Sequence, residues 1–262
     1  MIDRRQLWQR VRRVWITLGL AFTIIFVGWS LIAYRASAAA RIAIEPDAAV
    51  GVEYDDGIWS FIPRQAMAAV VPALVLFPGA LVDPIAYAPL VRAVAAAGYP
   101  AYIIELPRRG AFGGAESPEI EVRLARVLAS HATQHSWVIA GHSRGAVVAS
   151  TIASERRPGF AGLVLIGSSH PRDVDLSALP VLVTKIVGTR DGLASREEVE
   201  GNRAKLPAAT RWVWIDGGNH SQFGWYGFQP GDRFATIDAD SQRATMIQAV
   251  IDLLGRVARI AR

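Results

Sequence analysis

With 262 residues and 52% hydrophobic side chains, the chain is long enough for one α/β domain of ordinary size plus an appendage, and its composition carries no mark of disorder. The net charge of +5 belongs to the N-terminus: residues 1–41 hold seven arginines and one aspartate, leaving 21 basic against 22 acidic residues, which excludes a nucleic-acid surface built on basic excess. The absence of cysteine excludes disulfides, thiolate metal sites and cysteine nucleophiles together.

Residues 14–34 are 21 positions without a charged side chain, enough at about 1.5 Å per residue to cross the roughly 30 Å core of a bilayer. Arg4, Arg5, Arg10, Arg12 and Arg13 precede the stretch, and only Arg35 and Arg41 follow it closely. This asymmetry predicts a basic cytoplasmic N-terminus at 1–13, a transmembrane anchor at 14–34, a linker at 35–49 and an extracytoplasmic domain at 50–262. The alternative is a secreted protein, since Ala36-Ser37-Ala38 also fits a signal-peptidase site, although the apolar run exceeds the usual signal length.

Beyond the linker, residues 50–54 and 58–62 read as a hairpin turning at Asp55-Asp56-Gly57. Buried strands are predicted at 73–77, 101–106, 137–140, 162–166, 181–187 and 212–215. Helices are predicted after Asp83-Pro84, after Ser117-Pro118, over 146–153, from the S-x-x-E capping box Ser195–Glu198, and along the stripe Ile247, Val250, Ile251, Leu254 and Val257. Strand and helix alternate from residue 73 onward, the pattern of a mostly parallel sheet covered on both faces.

The stretch 137–145, WVIAGHSRG, is a strand that runs into Gly141-His142-Ser143-Arg144-Gly145 and then into a helix. Glycines two positions either side of Ser143 allow a sharp turn that holds its hydroxyl clear of the backbone. The chain resembles the α/β-hydrolase superfamily here, at the nucleophile elbow. A serine hydroxyl needs a base and a group to orient that base. Strand 181–187 ends in Gly188-Thr189-Arg190-Asp191-Gly192 and strand 212–215 in Asp216-Gly217-Gly218-Asn219-His220, which sets Ser143, Asp191 and His220 in the chain order of that superfamily. Asp173 and Asp175 are the other acids after a neighbouring strand. His142 is confined to the elbow, His170 follows the wrong strand, and His131 with His135 reads as a solvated helix face, because Ala132 stands where a zinc-helix glutamate would be.

The resemblance implies an oxyanion hole from the backbone N–H of Arg144 and of Ala80, in Pro78-Gly79-Ala80, with Leu81 as the alternative donor. From Pro78-Gly79 to Gly98-Tyr99, and again at GGNHSQFGWYG, the chain is similar to the minimal, lidless hydrolase fold-5 or dienelactone-hydrolase-like group. The implied fold is an α/β-hydrolase without a cap, preceded by a transmembrane helix. The implied activity is hydrolysis of a small-molecule carboxylic ester or thioester through an acyl-enzyme, with no cofactor and no metal; residues 170–180 are too few for a cap domain, which predicts an open pocket suited to short, water-soluble esters. An acyltransferase, peptidase or lactonase would use the same triad, and a non-catalytic binding module could use the same scaffold. Arg108, Arg109, Trp225 and Tyr226 stand on loops beside the triad as candidate substrate contacts.

Overall fold

A computed structural model describes residues 4–65, 71–130 and 136–260; His131 and His135 lie outside them. The chain opens with α1 (Arg4–Ala33) and α2 (Ala38–Ile42), then β1 (Val50–Asp55), β2 (Ile58–Pro63) and β3 (Ala73–Phe77). α3 (Ala88–Ala96), β4 (Ala101–Ile104), α4 (Glu119–Ser130), β5 (Trp137–His142), α5 (Arg144–Ser154) and β6 (Phe160–Ile166) follow. β7 (Leu182–Gly188), α6 (Arg196–Gly201), β8 (Arg211–Ile215) and α7 (Ala239–Ile260) complete it.

The strands form one eight-stranded sheet in the order β1-β2-β4-β3-β5-β6-β7-β8. β1 and β2 are an antiparallel hairpin, β2 pairs antiparallel with β4, and every other pairing is parallel. Parallel strands need crossover helices, so both faces are covered and successive side chains enter opposite cores. In β5, Val138 and Ala140 face the layer of α3 and α7, whereas Trp137 and Ile139 face that of α4 and α5. This two-sided burial is why the strands read as unbroken apolar runs.

Most boundaries lie within two residues of the sequence expectation. β4 stops at Ile104 rather than at 106, before the turn that opens at Pro107. α3 begins with a 3₁₀ turn, Pro84–Tyr87, capped by the Asp83 carboxylate on the Ile85 N–H, and the Ser195–Glu198 capping box of α6 is formed in both directions. The buried stripe of α7 is Met246, Ala249, Val250, Leu253, Leu254 and Val257, so the helix is rotated from the expected face and leaves Ile247 and Ile251 half-buried.

α1 is long and apolar enough to cross a membrane, and the rest of the chain leaves its span Arg4–Ser30 uncovered. The stretch after it, expected as a linker, is docked onto the domain. Ala33, Ala36 and Ala40 are buried, and three backbone bonds fasten them: Gly227 N–H to the Ala33 carbonyl (2.7 Å), Ser37 N–H to Trp225 (2.8 Å) and Asp83 N–H to Tyr34 (2.9 Å). Gly227 makes the approach possible, since a Cβ there would stand 3.0 Å from the Ala33 oxygen. Hydrogen bonds of this kind contribute about 1 kcal/mol each. A fragment beginning at residue 44 is therefore expected to be about 3 kcal/mol less stable than one beginning at residue 31, roughly 6–12 °C in Tm. Equal melting of the two by calorimetry would show that the docked segment contributes nothing.

Lys185 in β7 is buried, its Nζ donating to the His170 carbonyl. Burial lowers its pKa to about 7, against a smaller opposing pull from Asp191. Between that value and the ordinary lysine range the unfolded chain holds one proton more than the folded one, so stability from this group rises with pH, by about 1.4 kcal/mol per unit. Lys185→Met should remove this slope, so that the gain in unfolding free energy between pH 7.5 and 9.5 shrinks by roughly 2–3 kcal/mol in denaturant titrations. An unchanged slope would mean that Lys185 stays protonated in the core.

Candidate active site

Ser143 sits where β5 meets α5, with φ 52° and ψ −116°, a strained conformation for a residue with a side chain. Its own N–H is held by the Ile166 carbonyl at 3.0 Å. The flanking glycines are obligatory: a Cβ on Gly141 would lie 2.1 Å from the Gly145 oxygen, and one on Gly145 2.0 Å from the Phe77 oxygen. The turn can exist only because α5 presses directly on the end of β3.

Asp191 and His220 come from the loops after β7 and β8 and meet in the interior, 2% and 1% exposed. His220 Nδ1 lies 2.9 and 3.1 Å from the two Asp191 oxygens, and Asp191 Oδ1 also accepts the N–H groups of Leu193 (2.9 Å) and Ala194 (2.7 Å). The carboxylate thus fixes the ring so that Nδ1 carries the proton and Nε2 is left basic. Nε2 is buried and has no hydrogen-bond partner among the described residues. Ser143 and His220 together line a cavity of about 290 Å³, with Ala80, Val147, Leu193 and His170 among its walls. Asp173 instead stands beside His170, and Asp175 accepts the Ser177 N–H, so neither reaches His220.

Ala80 and Arg144 both line this cavity, and neither backbone N–H has a partner among the described residues. Arg144 is also the first residue of α5, where the helix dipole favours negative charge. The Leu81 N–H donates to the Arg109 carbonyl at 2.8 Å, which removes it as an oxyanion donor. The arrangement can accept a proton from Ser143 on His220 and stabilise negative charge developing beside Ala80 and Arg144.

The four other candidates do not line the cavity. Tyr226 is buried, stacks on Tyr34 (6.4 Å between centroids) and donates its hydroxyl to Gln229. Trp225 lies under the Arg243 guanidinium, 4.7 Å from its ring centre. Tyr226 thus serves the junction with α1 through its ring, and Trp225 through its carbonyl, which accepts the Ser37 N–H. Arg108 and Arg109 are exposed after β4 in left-handed conformations, each with φ 51°.

Three residues that sequence reasoning passed over hold the site together. Asp232 accepts the N–H groups of Gly192 (3.0 Å), His220 (3.2 Å) and Ser221 (2.8 Å), joining the acid loop to the histidine loop. Gln242 in α7 is buried and bonds the Asn219 backbone twice, accepting from its N–H (3.0 Å) and donating to its carbonyl (2.6 Å). Tyr87 places its hydroxyl 2.6 Å from His142 Nδ1 while accepting the Gly79 N–H at 3.1 Å. Burial, and after it the neighbouring His220, holds the His142 pKa well below its ordinary value, so this second imidazole stays neutral 4.5 Å from the first, centroid to centroid. Among the described residues no group of three His, Asp or Glu side chains could hold a metal ion.

No curated protein sequence matches the chain. Among solved structures it is similar to esterase B from Lactobacillus rhamnosis, with 12% identity and TM-score 0.57 over 98% of this chain and 97% of that one. A soluble variant of monoglyceride lipase from Saccharomyces cerevisiae gives 12% and 0.58 over 82% and 97%, and a candidate dienelactone hydrolase from Klebsiella pneumoniae 16% and 0.55 over 76% and 92%. At these identities the likeness is one of fold. The model of the alpha/beta hydrolase family matches residues 73–244, more than half of the length and all of the strands from β3 to β8; the chain belongs to that family.

Proposed function

We propose that the protein is a membrane-anchored serine hydrolase that cleaves carboxylic esters or thioesters through an acyl-enzyme. The observation that carries this reading is His220, clamped by Asp191 on one nitrogen and left basic on the other, in the wall of the cavity that Ser143 also lines. Ser143 Oγ attacks the acyl carbon as His220 Nε2 takes its proton, and the Arg144 and Ala80 N–H groups receive the oxyanion. The tetrahedral intermediate collapses, His220 returns the proton to the leaving alcohol or thiol, and the acyl group remains on Ser143. Water, deprotonated by the same nitrogen, then releases the acid and restores the serine. The esterase and the monoglyceride lipase among the similar structures favour an ester over other acyl compounds.

Retention of α1 as an anchor is the reading that the docked segment supports. Cleavage after Ala38 would sever Ala33, Tyr34 and Ala36 from their partners, and Ser37 is itself the cap of α2, accepting the Ala40 N–H. The five arginines before the span support a cytoplasmic N-terminus with the hydrolase domain outside the cytoplasm.

A fluorophosphonate probe is expected to form an adduct at Ser143, located by peptide mass spectrometry, and none in Ser143→Ala. Asp191→Asn should lower kcat on p-nitrophenyl esters by roughly 10³–10⁴-fold with little change in KM, because the imidazole loses its orientation and charge partner rather than its substrate. Folded wild-type protein that does not react with the probe would overturn the enzyme reading. The anchor predicts a second result: the full-length chain should stay with membranes through alkaline carbonate extraction, whereas a soluble product starting near Ala39 would mark a cleaved signal.

A further inference from the structure

α1 is held against the domain at one particular edge. The bonds to Ala33, Tyr34 and Ser37 come from Asp83, after β3, and from Trp225 and Gly227, after β8. Those loops leave the carboxyl ends of the parallel strands, the edge that also carries Ala80, Ser143 and His220. Residues 14–33 cover about 30 Å as helix, the thickness of a bilayer core, so Ala33 marks the lipid boundary and the catalytic edge is fastened there.

Large apolar side chains stand exposed on the same edge: Leu81 after β3, Phe112 after β4, Leu193 after β7 and Phe234 after β8. Scattered singly they would need no explanation, but here all four stand on loops that leave the carboxyl ends of the strands, the edge that carries the cavity, and Leu193 lines it. Phe112 is 90% exposed and Phe234 76%. The Phe112 loop is strained into that position, with φ 51°, 51° and 47° at Arg108, Arg109 and Phe112, conformations that cost on the order of 1–3 kcal/mol each. Arg108 and Arg109 beside it have no ion-pair partner among the described residues, which suits them to lipid phosphates.

We propose that the carboxyl edge of the sheet is seated on the bilayer that α1 spans, so that the Ser143 cavity opens toward lipid and the substrate is a membrane-borne amphiphilic ester whose acyl chain passes Leu81 and Leu193. The substrate part rests on the serine-hydrolase reading; the docking does not. This replaces the preference for water-soluble esters expected from the missing cap, because a lidless site already resting on lipid has no cap to open.

The cysteine-free chain permits a direct test. Full-length Phe112→Cys and Phe234→Cys, and as a control Ala209→Cys on the exposed loop before β8 at the opposite edge, are labelled with a nitrobenzoxadiazole fluorophore. The proteins are reconstituted in phosphatidylcholine–phosphatidylglycerol vesicles containing nitroxide lipid. The rim labels should be quenched several-fold more than the control by the nitroxide, and shielded from aqueous iodide. Equal quenching at all three positions, or rim shielding that persists without lipid, would overturn the docking, the latter by assigning the rim to a second copy. In the same vesicles Phe112→Asp/Phe234→Asp should lose at least tenfold in kcat/KM on a long-chain ester while keeping its rate on p-nitrophenyl acetate. Equal loss on both would overturn the substrate assignment. Lipid quenching at the rim with no fluorophosphonate adduct at Ser143 would preserve the docking and remove the hydrolase.

Discussion

The contact on which this structure turns is the one between Gly145 and the carbonyl of Phe77. With no side chain on the glycine, the first turn of α5 comes so close to the end of β3 that an added Cβ would stand 2.0 Å from that oxygen. The approach forces the connection from β5 into a single sharp residue, Ser143, at positive φ. It also brings the start of α5 beside the loop of Ala80, so that two backbone donors border the serine. Strain at one residue is thus offset by packing of the strands around it, buried on both faces from β3 to β7.

Asp191 and His220 are held by a different kind of structure. Asp191, His220, Asn219, Asp232 and Gln242 form a polar cluster inside an otherwise apolar domain, and its cost is offset by near-complete pairing with backbone N–H groups and with one another. Asp232 couples the Asp191 loop to the His220 loop through its two oxygens. Tyr87 and the neutral His142 extend the order to the Ala80 loop by fixing the Gly79 N–H. His220 Nε2 is the buried nitrogen of His220 left without a partner, on the residue that faces the cavity.

The same carboxyl edge also receives α1. The loop that carries His220 continues through Trp225, Tyr226 and Gly227, whose backbone and rings grip residues 33–37. The apolar helix and the His220 loop therefore share a foundation, which ties the position of α1 to the carboxyl edge through the fold rather than through a flexible tether.

Much of this was legible in the sequence, for local reasons. Apolar runs such as 73–77 and 137–140 mark strands because both faces of a parallel sheet are buried, and the Asp83-Pro84 and Ser195–Glu198 pairs mark helix starts because their capping bonds span only a few residues. The glycines around Ser143 follow from spacing within one turn, and the Ser, Asp, His order is what the resemblance to α/β-hydrolases implies. Asp232, Gln242 and Tyr87 could not be read in the same way, since their partners are distant in sequence and nothing in a PGD loop, a helix glutamine or a helix-start tyrosine specifies them. Trp225 and Tyr226 read as pocket walls, because proximity to His220 along the chain does not say which way a side chain turns; the Tyr226 ring turns to Tyr34 at the α1 junction and the Trp225 ring to Arg243 of α7. Sequence alone determined the alternation of strand and helix, the elbow and the long apolar helix, all encoded by neighbouring residues. Only the tertiary structure decided that this helix ends on the carboxyl edge of the sheet, because that depends on the sheet order bringing Asp83 and Gly227 to Tyr34 and Ala33, a contact between segments far apart in the chain.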